Sequence, residues 1–251
     1  MTSGWKLEET PSQAGKIGVV TGANVGLGFE TAKALAARGM EVVLACRNRE
    51  KAKATKDKII ESHAQASLHI MELDLSSLKS VRSFAEKFKQ QFEKLDLLVN
   101  NAGVMLTPYQ ITEDGFEQQM GINYLGHFLL AGLLLPKLEA AENTRIVTLS
   151  SLSHNWGDIY FDDMAFEEGY SSRKAYGQSK LACLMFAYEM QRRLKARGHS
   201  TISLAAHPGI SDTELVRNLP KFIHLMAKVL APIFIQSAAE GALPNFTDSF
   251  R

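Results

Sequence analysis

Residues 16–28 read Lys-Ile-Gly-Val-Val-Thr-Gly-Ala-Asn-Val-Gly-Leu-Gly. A short β-branched run, 16–21, leads without a spacer into Gly22, Gly26 and Gly28, and a helical stretch over 26–38 follows at once. Strand, glycine loop and helix in that order open a parallel α/β sheet. The glycines let the backbone turn tightly and approach a pyrophosphate, and the helix N-terminus offers free N–H groups with partial positive charge. The spacing is G-x-x-x-G-x-G, not G-x-G-x-x-G, and a glycine-rich βα turn need hold nothing. Its setting near the start of the chain favours dinucleotide binding, with Gly22, Asn24, Gly26, Leu27 and Gly28 as candidate contacts.

Outward from this unit the alternation continues. Further strands are expected over 41–46, 67–72, 95–100, 144–150 and 200–205, and helices over 50–62, 77–92, 112–138 and 173–197. The strands lack strict apolar–polar alternation, as strands buried on both faces do. Six of them with helical crossovers predict an α/β fold, a doubly wound parallel sheet flanked by helices on both faces. No Pro/Gly/Ser-rich linker divides the chain, so 1–251 reads as one domain. Residues 152–172 and everything after Pro208 fall outside the alternation.

Composition narrows the function. Lys and Arg number 28 against 27 Asp and Glu, a formal net charge of +1. Neither nucleic acid nor an anionic membrane is then expected as a main partner. With 45% hydrophobic and 22% charged residues, the chain has enough apolar side chains for a sizeable core. Two cysteines, Cys46 and Cys183, exclude a disulfide framework and favour a reducing compartment. The N-terminus shows no secretory h-region, and the longest greasy run, 128–135, is far short of the ~20 residues of a spanning helix. A cytoplasmic protein without an integral membrane segment is expected.

An acid at the end of the second strand would bond the ribose 2′-OH of NAD. That place holds Cys46, followed by Arg47, with Arg49 as a second candidate contact. A guanidinium pairs with a 2′-phosphate that a carboxylate would repel, so NADP(H) is the expected cofactor. Arg47 as a merely solvated loop residue is the plainer alternative.

Tyr-x-x-x-Lys places a phenol and an ammonium on one helix face, where the ammonium favours phenolate and fits the phenol for proton transfer. Chance predicts about 0.4 such matches in this composition, and there are two: Tyr170/Lys174 and Tyr176/Lys180. The first begins in a loop and the second lies inside a helix. Rigid elements hold chemistry better, which selects Tyr176 and Lys180.

With these residues in view, the chain resembles the short-chain dehydrogenases/reductases, over nearly its whole length to about Pro244. The motifs are the loop from Thr21 to Gly28, Asp74-Leu75, Asn100-Asn101-Ala102-Gly103, Asn123, Ser150-Ser151, Tyr176-Gly-Gln-Ser-Lys180, and Pro208-Gly209 followed by Thr213. The resemblance implies a single Rossmann-like domain and NAD(P)-dependent oxidoreduction. It implies Tyr176 as general acid/base and Lys180 as its partner and holder of the nicotinamide ribose. Ser151 would bond the substrate oxygen, while Ser150 is expected to cap a turn. Asn123 would hold a proton-relay water, be bonded to backbone, or do both. Asp74, Leu75, Asn101, Ala102 and Gly103 look like adenine-side contacts. Thr213 looks like a nicotinamide-carboxamide contact, with a helix N-cap as the plainer and compatible role, and Pro208 and Gly209 look like cofactor contacts. His127 and His154 have no partners at ligand spacing, so packing or loop hydrogen bonds are expected and no metal.

Ser151 and Tyr176 are 25 positions apart, wider than in compact members, and the extra stretch carries Trp156, Tyr160, Phe161 and Phe166. Ala45-Cys-Arg47, Asn123-Tyr-Leu-Gly-His127 and Ala206-His-Pro-Gly209 place the resemblance in the retinol-dehydrogenase-like and protochlorophyllide-reductase-like branch. The family's seventh, edge strand is not visible before Arg251, so the domain is expected to be shortened at its C-terminus. The leading functional expectation is NADP(H)-dependent interconversion of a lipophilic aldehyde or ketone and its alcohol, a small-molecule substrate. A catalytically weak NADP(H)-binding scaffold or redox sensor is the alternative. Apolar residues over 215–236 read equally as a helix packed on the core or as a substrate lid, and peripheral membrane contact is a third, weaker use. The resemblance and the apolar surface of the long helices over 112–138 and 173–197 lead to the expectation of a homo-oligomer.

Overall fold

Ile17–Thr21 forms strand β1, whose apolar side chains are buried on both faces. In the computed structural model, which describes residues 10–207, β1 lies at the centre of a six-stranded sheet. The other strands are β2 (Glu41–Cys46), β3 (Leu68–Glu72), β4 (Leu97–Asn100), β5 (Arg145–Leu149) and β6 (Ile202–Ala206). All pair in parallel, in the order β3-β2-β1-β4-β5-β6. The doubly wound parallel sheet is therefore present. Its strand order reverses between β1 and β4, and in such sheets the crevice at that reversal, outside the carboxyl ends of the strands, takes the ligand.

Two cores follow from the period of two along each strand. Val20, Val42 and Leu44 face α1 (Gly26–Ala37) and α2 (Arg49–Ser62). Val19, Val43 and Ala45 face the opposite way, toward α3 (Leu78–Gln91), α5 (Gly126–Glu139) and α6 (Ser172–Ala196), where Phe84, Phe88, Leu134 and Phe186 are buried. Helix starts are set locally. Asn48, Ser77 and Ser171 each accept a hydrogen bond from the backbone N–H three residues on, which caps α2, α3 and α6.

One boundary needs correction. The helix expected from 112 begins only at Gln118, as the short α4 (Gln118–Met120), and passes through a π turn (Gly121–Leu125) into α5. Residues 111–117 instead turn back on themselves: Thr112 and Phe116 share a backbone hydrogen bond, Gly115 is left-handed, and Ile111 bridges Glu117. Helical residue types at 112–117 are overridden by that glycine turn. Pro208, Gly209, Thr213, the segment 215–236 and the place of a seventh strand lie outside the described residues.

Candidate active site

At Gly22 and Gly28 the loop after β1 leaves no room for a side chain. Gly22 and Gly26 have φ of +65° and +54°, which an L side chain rarely adopts. A Cβ on Gly28 would stand 2.4 Å from the Gly22 carbonyl oxygen and 2.5 Å from Asn101 Nδ2. No side chain caps the N-terminus of α1. A bare loop over an uncapped helix N-terminus fits the pyrophosphate of a dinucleotide.

Thr21 fastens this loop to the next one. Its Oγ1 accepts from the N–H groups of Asn101 and Ala102 at 2.9 and 3.0 Å, and Asn101 Nδ2 donates to the Thr21 carbonyl oxygen at 2.8 Å. Residues 101–103 thus line the crevice from the β4 side. Asn24 belongs to the loop itself, and Leu27 is buried in the first turn of α1. Asp74 is turned inward on its own loop, where Oδ1 accepts from the Ser76 N–H and hydroxyl, and Leu75 is buried next to Gly126.

At the end of β2, Cys46 is buried with its thiol against the N–H groups of Ala23 and Asn24. Burial pushes that thiol up to about 12 and keeps it protonated. Arg47, the next residue, is exposed and makes no hydrogen bond or ion pair with another described residue.

The two serines after β5 exchange their expected roles in one respect. Ser151, not Ser150, caps the following 3-10 helix (Leu152–Trp156), accepting from the Ser153 N–H at 3.2 Å. Its hydroxyl proton goes to Ser153 Oγ at 3.1 Å. Ser150 Oγ is buried and donates to the Lys180 carbonyl oxygen at 2.8 Å. The strand ends at Leu149, so Ser150 still points into the packing, whereas Ser151 is the extended residue before the turn.

The two Tyr-x-x-x-Lys pairs separate clearly. Tyr170 precedes α6, and its hydroxyl donates to the Thr107 carbonyl oxygen at 2.9 Å while accepting from Gln119 Nε2 at 3.0 Å. Glu117 Oε1 is 3.4 Å away, and burial holds both the phenol and that carboxyl above their ordinary ranges. Tyr170 thereby anchors the loop at 106–109, and Lys174 reaches over the Tyr160 ring. Tyr176 lies inside α6, nearly buried, and its hydroxyl makes no hydrogen bond with another described residue. Lys180 Nζ stands 5.9 Å from the centre of its ring and donates to the Leu149 carbonyl oxygen at 3.0 Å. A Cβ on Gly103 would lie 3.7 Å from that Nζ and 3.1 Å from Asn123 Oδ1. Gly103, Asn123, Tyr176 and Lys180 therefore converge at the mouth of the β1/β4 crevice.

Asn123 sits in the π turn and is bonded to backbone on both sides of its carboxamide. Oδ1 accepts from the Val104 N–H at 2.8 Å, and Nδ2 donates to the Val104 carbonyl oxygen and to Ser179 Oγ. Only the second lone pair of Oδ1 is left for a water. The main-chain oxygen of Asn123 accepts from His127 Nδ1 at 2.9 Å and Cys183 Sγ at 3.2 Å. His127 and His154 bond protein groups, as expected, and no group of His, Cys, Asp and Glu among the described residues has the arrangement of a metal site. Ser179 and Cys183, which bond Asn123, and Gln119 and Glu117, which face Tyr170, were not legible as site residues. The one available signal was that Cys183 follows Lys180 by a single helical turn.

The family model described as "short chain dehydrogenase" matches residues 16–223. The chain belongs to the short-chain dehydrogenase family. It is therefore an oxidoreductase, of a family that uses NAD(P). This short-chain dehydrogenase is 47% identical to retinol dehydrogenase 13 of Homo sapiens over 231 residues, 89% of this chain and 69% of that one. It is 44% identical to human retinol dehydrogenase 11, over 96% of this chain and 75% of that protein. Polyprenol dehydrogenase of Danio rerio is 41% identical, with 95% and 75% covered. These relatives agree with the retinol-dehydrogenase-like resemblance. Among solved structures, a Mycobacterium paratuberculosis protein superposes with a TM-score of 0.81 at 40% identity, covering 99% of this chain and 81% of that one. Pseudomonas aeruginosa RhlG in its NADP active-site complex gives 0.74 at 24% identity, over 96% and 91%, a likeness of fold.

Proposed function

We propose that this short-chain dehydrogenase interconverts a lipophilic aldehyde or ketone and its alcohol with NADP(H), using Tyr176 as general acid/base. The observation that carries the reading is the pairing of Tyr176 and Lys180 on α6, beside Gly103 and Asn123, at the reversal point of the sheet. A nicotinamide bound in this crevice supplies or accepts the hydride. Gly22, Asn24, Gly26, Leu27 and Gly28 would hold its pyrophosphate, and Asp74, Leu75, Asn101, Ala102 and Gly103 its adenine side.

In reduction, Tyr176 gives its hydroxyl proton to the carbonyl oxygen, and in oxidation it takes the proton back. Ser151 donates to the same oxygen by exchanging the bond it makes to Ser153. One of the three Lys180 donors is spent on Leu149, which fixes the ammonium and leaves two for the nicotinamide ribose and the Tyr176 side. Exposed and unpaired among the described residues, Arg47 supports NADP(H), since a guanidinium there can meet a 2′-phosphate without giving up a bond to any of them. Relatives named for retinol and polyprenol support a lipophilic substrate.

The reading also takes the chain as one domain, cytoplasmic, and as a homo-oligomer through α5 and α6, which expose Phe128, Met185 and Tyr188. Among the described residues no helix is long and apolar enough to cross a membrane. The test is a screen of aldehydes, ketones and alcohols with NADPH, NADP, NADH and NAD. Turnover of apolar carbonyls with NADPH is expected. Tight NADPH binding without turnover of any substrate would favour a scaffold instead.

A further inference from the structure

We infer that His127, as its Nδ1–H tautomer, is a positioning residue that sets the glycine loop, through Thr21, against the Asn123 and Lys180 side of the site. This rests on the proposed oxidoreductase reading. The geometry fixes the tautomer. His127 Nδ1 lies 2.9 Å from the main-chain oxygen of Asn123, which can only accept, so Nδ1 carries a proton. His127 Nε2 lies 2.9 Å from Thr21 Oγ1. That oxygen already accepts from two N–H groups, those of Asn101 and Ala102, and has no third lone pair. Nε2 must therefore accept, and the Thr21 hydroxyl proton goes to it in preference to the Val99 oxygen at 3.3 Å.

An unbroken chain results. Asn101 and Ala102 donate to Thr21, Thr21 donates to His127, and His127 donates to Asn123, whose carbonyl also takes the Cys183 thiol one turn beyond Lys180. Five segments meet on it: the end of β1 with the glycine loop, the loop after β4, the π turn, α5 and α6. His127 is 2% exposed, so bulk water does not compete for either bond. Burial, helped by the Lys180 charge, pushes His127 down to about 4, in agreement with a neutral ring. An imidazolium would turn Nε2 into a third donor on Thr21 and break the chain at its middle.

The test uses the full chain. Nitrogen-15 NMR of histidine-labelled protein at neutral pH is expected to show His127 protonated at Nδ1 and pyridine-like at Nε2. The opposite tautomer, or a doubly protonated ring, overturns the inference. In kinetics, His127→Phe and Thr21→Val are each expected to lower kcat about tenfold, the scale of one buried hydrogen bond. Thr21→Ser, which keeps the hydroxyl, restores most of what Thr21→Val loses. The double variant should lose no more than the worse single variant, because both cut one path. A folded His127→Phe protein with a lowered unfolding midpoint but kcat and KM within about twofold of wild type overturns it, as do independent, multiplying losses. A wild type that binds neither NADPH nor NADH refutes the oxidoreductase reading. The ring tautomer and a cofactor-free double-mutant cycle on the unfolding midpoint then still decide whether His127 couples the two sides.

Discussion

Ser150 Oγ donates to the Lys180 carbonyl oxygen at 2.8 Å, and Lys180 Nζ donates back to the Leu149 carbonyl oxygen at 3.0 Å. One lysine is thus tied by its main chain and its side chain to Ser150 and Leu149 at the end of β5, so the strand end dictates where the ammonium sits. Ser151, one residue on, makes no bond to α6. Ser150→Ala is expected to cost about 1 kcal/mol of stability, the worth of one hydrogen bond, with turnover little changed. Ser151→Ala is expected to lower turnover by roughly 10²-fold, the scale of one lost donor to a developing oxyanion, with little change in stability. Urea unfolding and steady-state kinetics on both variants check this, and a reversed pattern would mean the serines carry each other's roles.

Tyr176→Phe is expected to reduce turnover by at least ~10²-fold, as loss of general acid–base assistance does. Tyr170→Phe removes the hydroxyl that joins Gln119 to the Thr107 carbonyl, leaving buried partners unmatched at a cost of about 1–3 kcal/mol. Its turnover should stay close to wild type. Thermal unfolding and turnover measured on the same preparations separate the two tyrosines.

Gly28→Ala should abolish tight nucleotide binding. The added Cβ meets the Gly22 carbonyl oxygen at 2.4 Å, a backbone atom that can yield only by reshaping the loop. Affinity for NADPH, followed by fluorescence titration, is expected to fall at least ~10-fold, the effect of a single lost charge-assisted contact or more. Unchanged affinity would separate this loop from the nucleotide.

The sheet was legible because its inner strands are buried on both faces and read as short β-branched or leucine-rich runs, such as Gly18-Val-Val and Leu97-Leu-Val. Loop glycines were legible because spacing and backbone need coincide at Gly22, Gly26 and Gly28. The start of the helix at Gln118 was not, since Glu113 and Asp114 suit a first helical turn, which the left-handed Gly115 turn and the Ile111–Glu117 bridge forbid. Nor was the work of Tyr170, whose partners Thr107 and Gln119 are distant in sequence and carry no pattern. Ser150 and Ser151 are chemically identical, and which one faces α6 depends on where β5 ends.

Cofactor choice can be tested from both sides of the 2′ position. Arg47 is exposed and makes no bond to another described residue, so Arg47→Ala should leave the sheet and its helices intact. A guanidinium–phosphate pair contributes charge-assisted hydrogen bonds worth about 1.5–3 kcal/mol, roughly 10- to 150-fold in NADPH affinity. NADH should be little affected. Cys46→Asp places a carboxylate against the N–H groups of Ala23 and Asn24, where it repels a 2′-phosphate and accepts a free 2′-OH. Fluorescence titration of both nucleotides should show that variant turning toward NADH. Equal wild-type affinity for the two nucleotides would mean that the 2′-phosphate is not read here.

His127 also predicts how stability responds to acid. Its pKa falls from an ordinary 6.5 to about 4 because the ring is buried. The group is a base depressed on folding, so below pH 6.5 the unfolded chain binds the proton and the folded chain refuses it. Stability then rises with pH wherever the unfolded state holds more protons. It should therefore drop as pH falls from 6.5 to about 4 and level off below, by about 3 kcal/mol over the whole window at 1.36 kcal/mol per unit. Glu117 acts in the opposite sense, since burial raises its carboxyl and makes the folded chain the better proton acceptor just above the ordinary carboxylate range. Comparison with a variant isolates the histidine, because Glu117 is present in both. His127→Phe cannot titrate, so urea unfolding between pH 4 and 7 should show a shallower loss for it than for wild type. The difference should be confined to the window between 4 and 6.5. Parallel curves for the two proteins would mean that His127 takes up a proton in the folded state, and with it the third donor that Thr21 has no lone pair to receive.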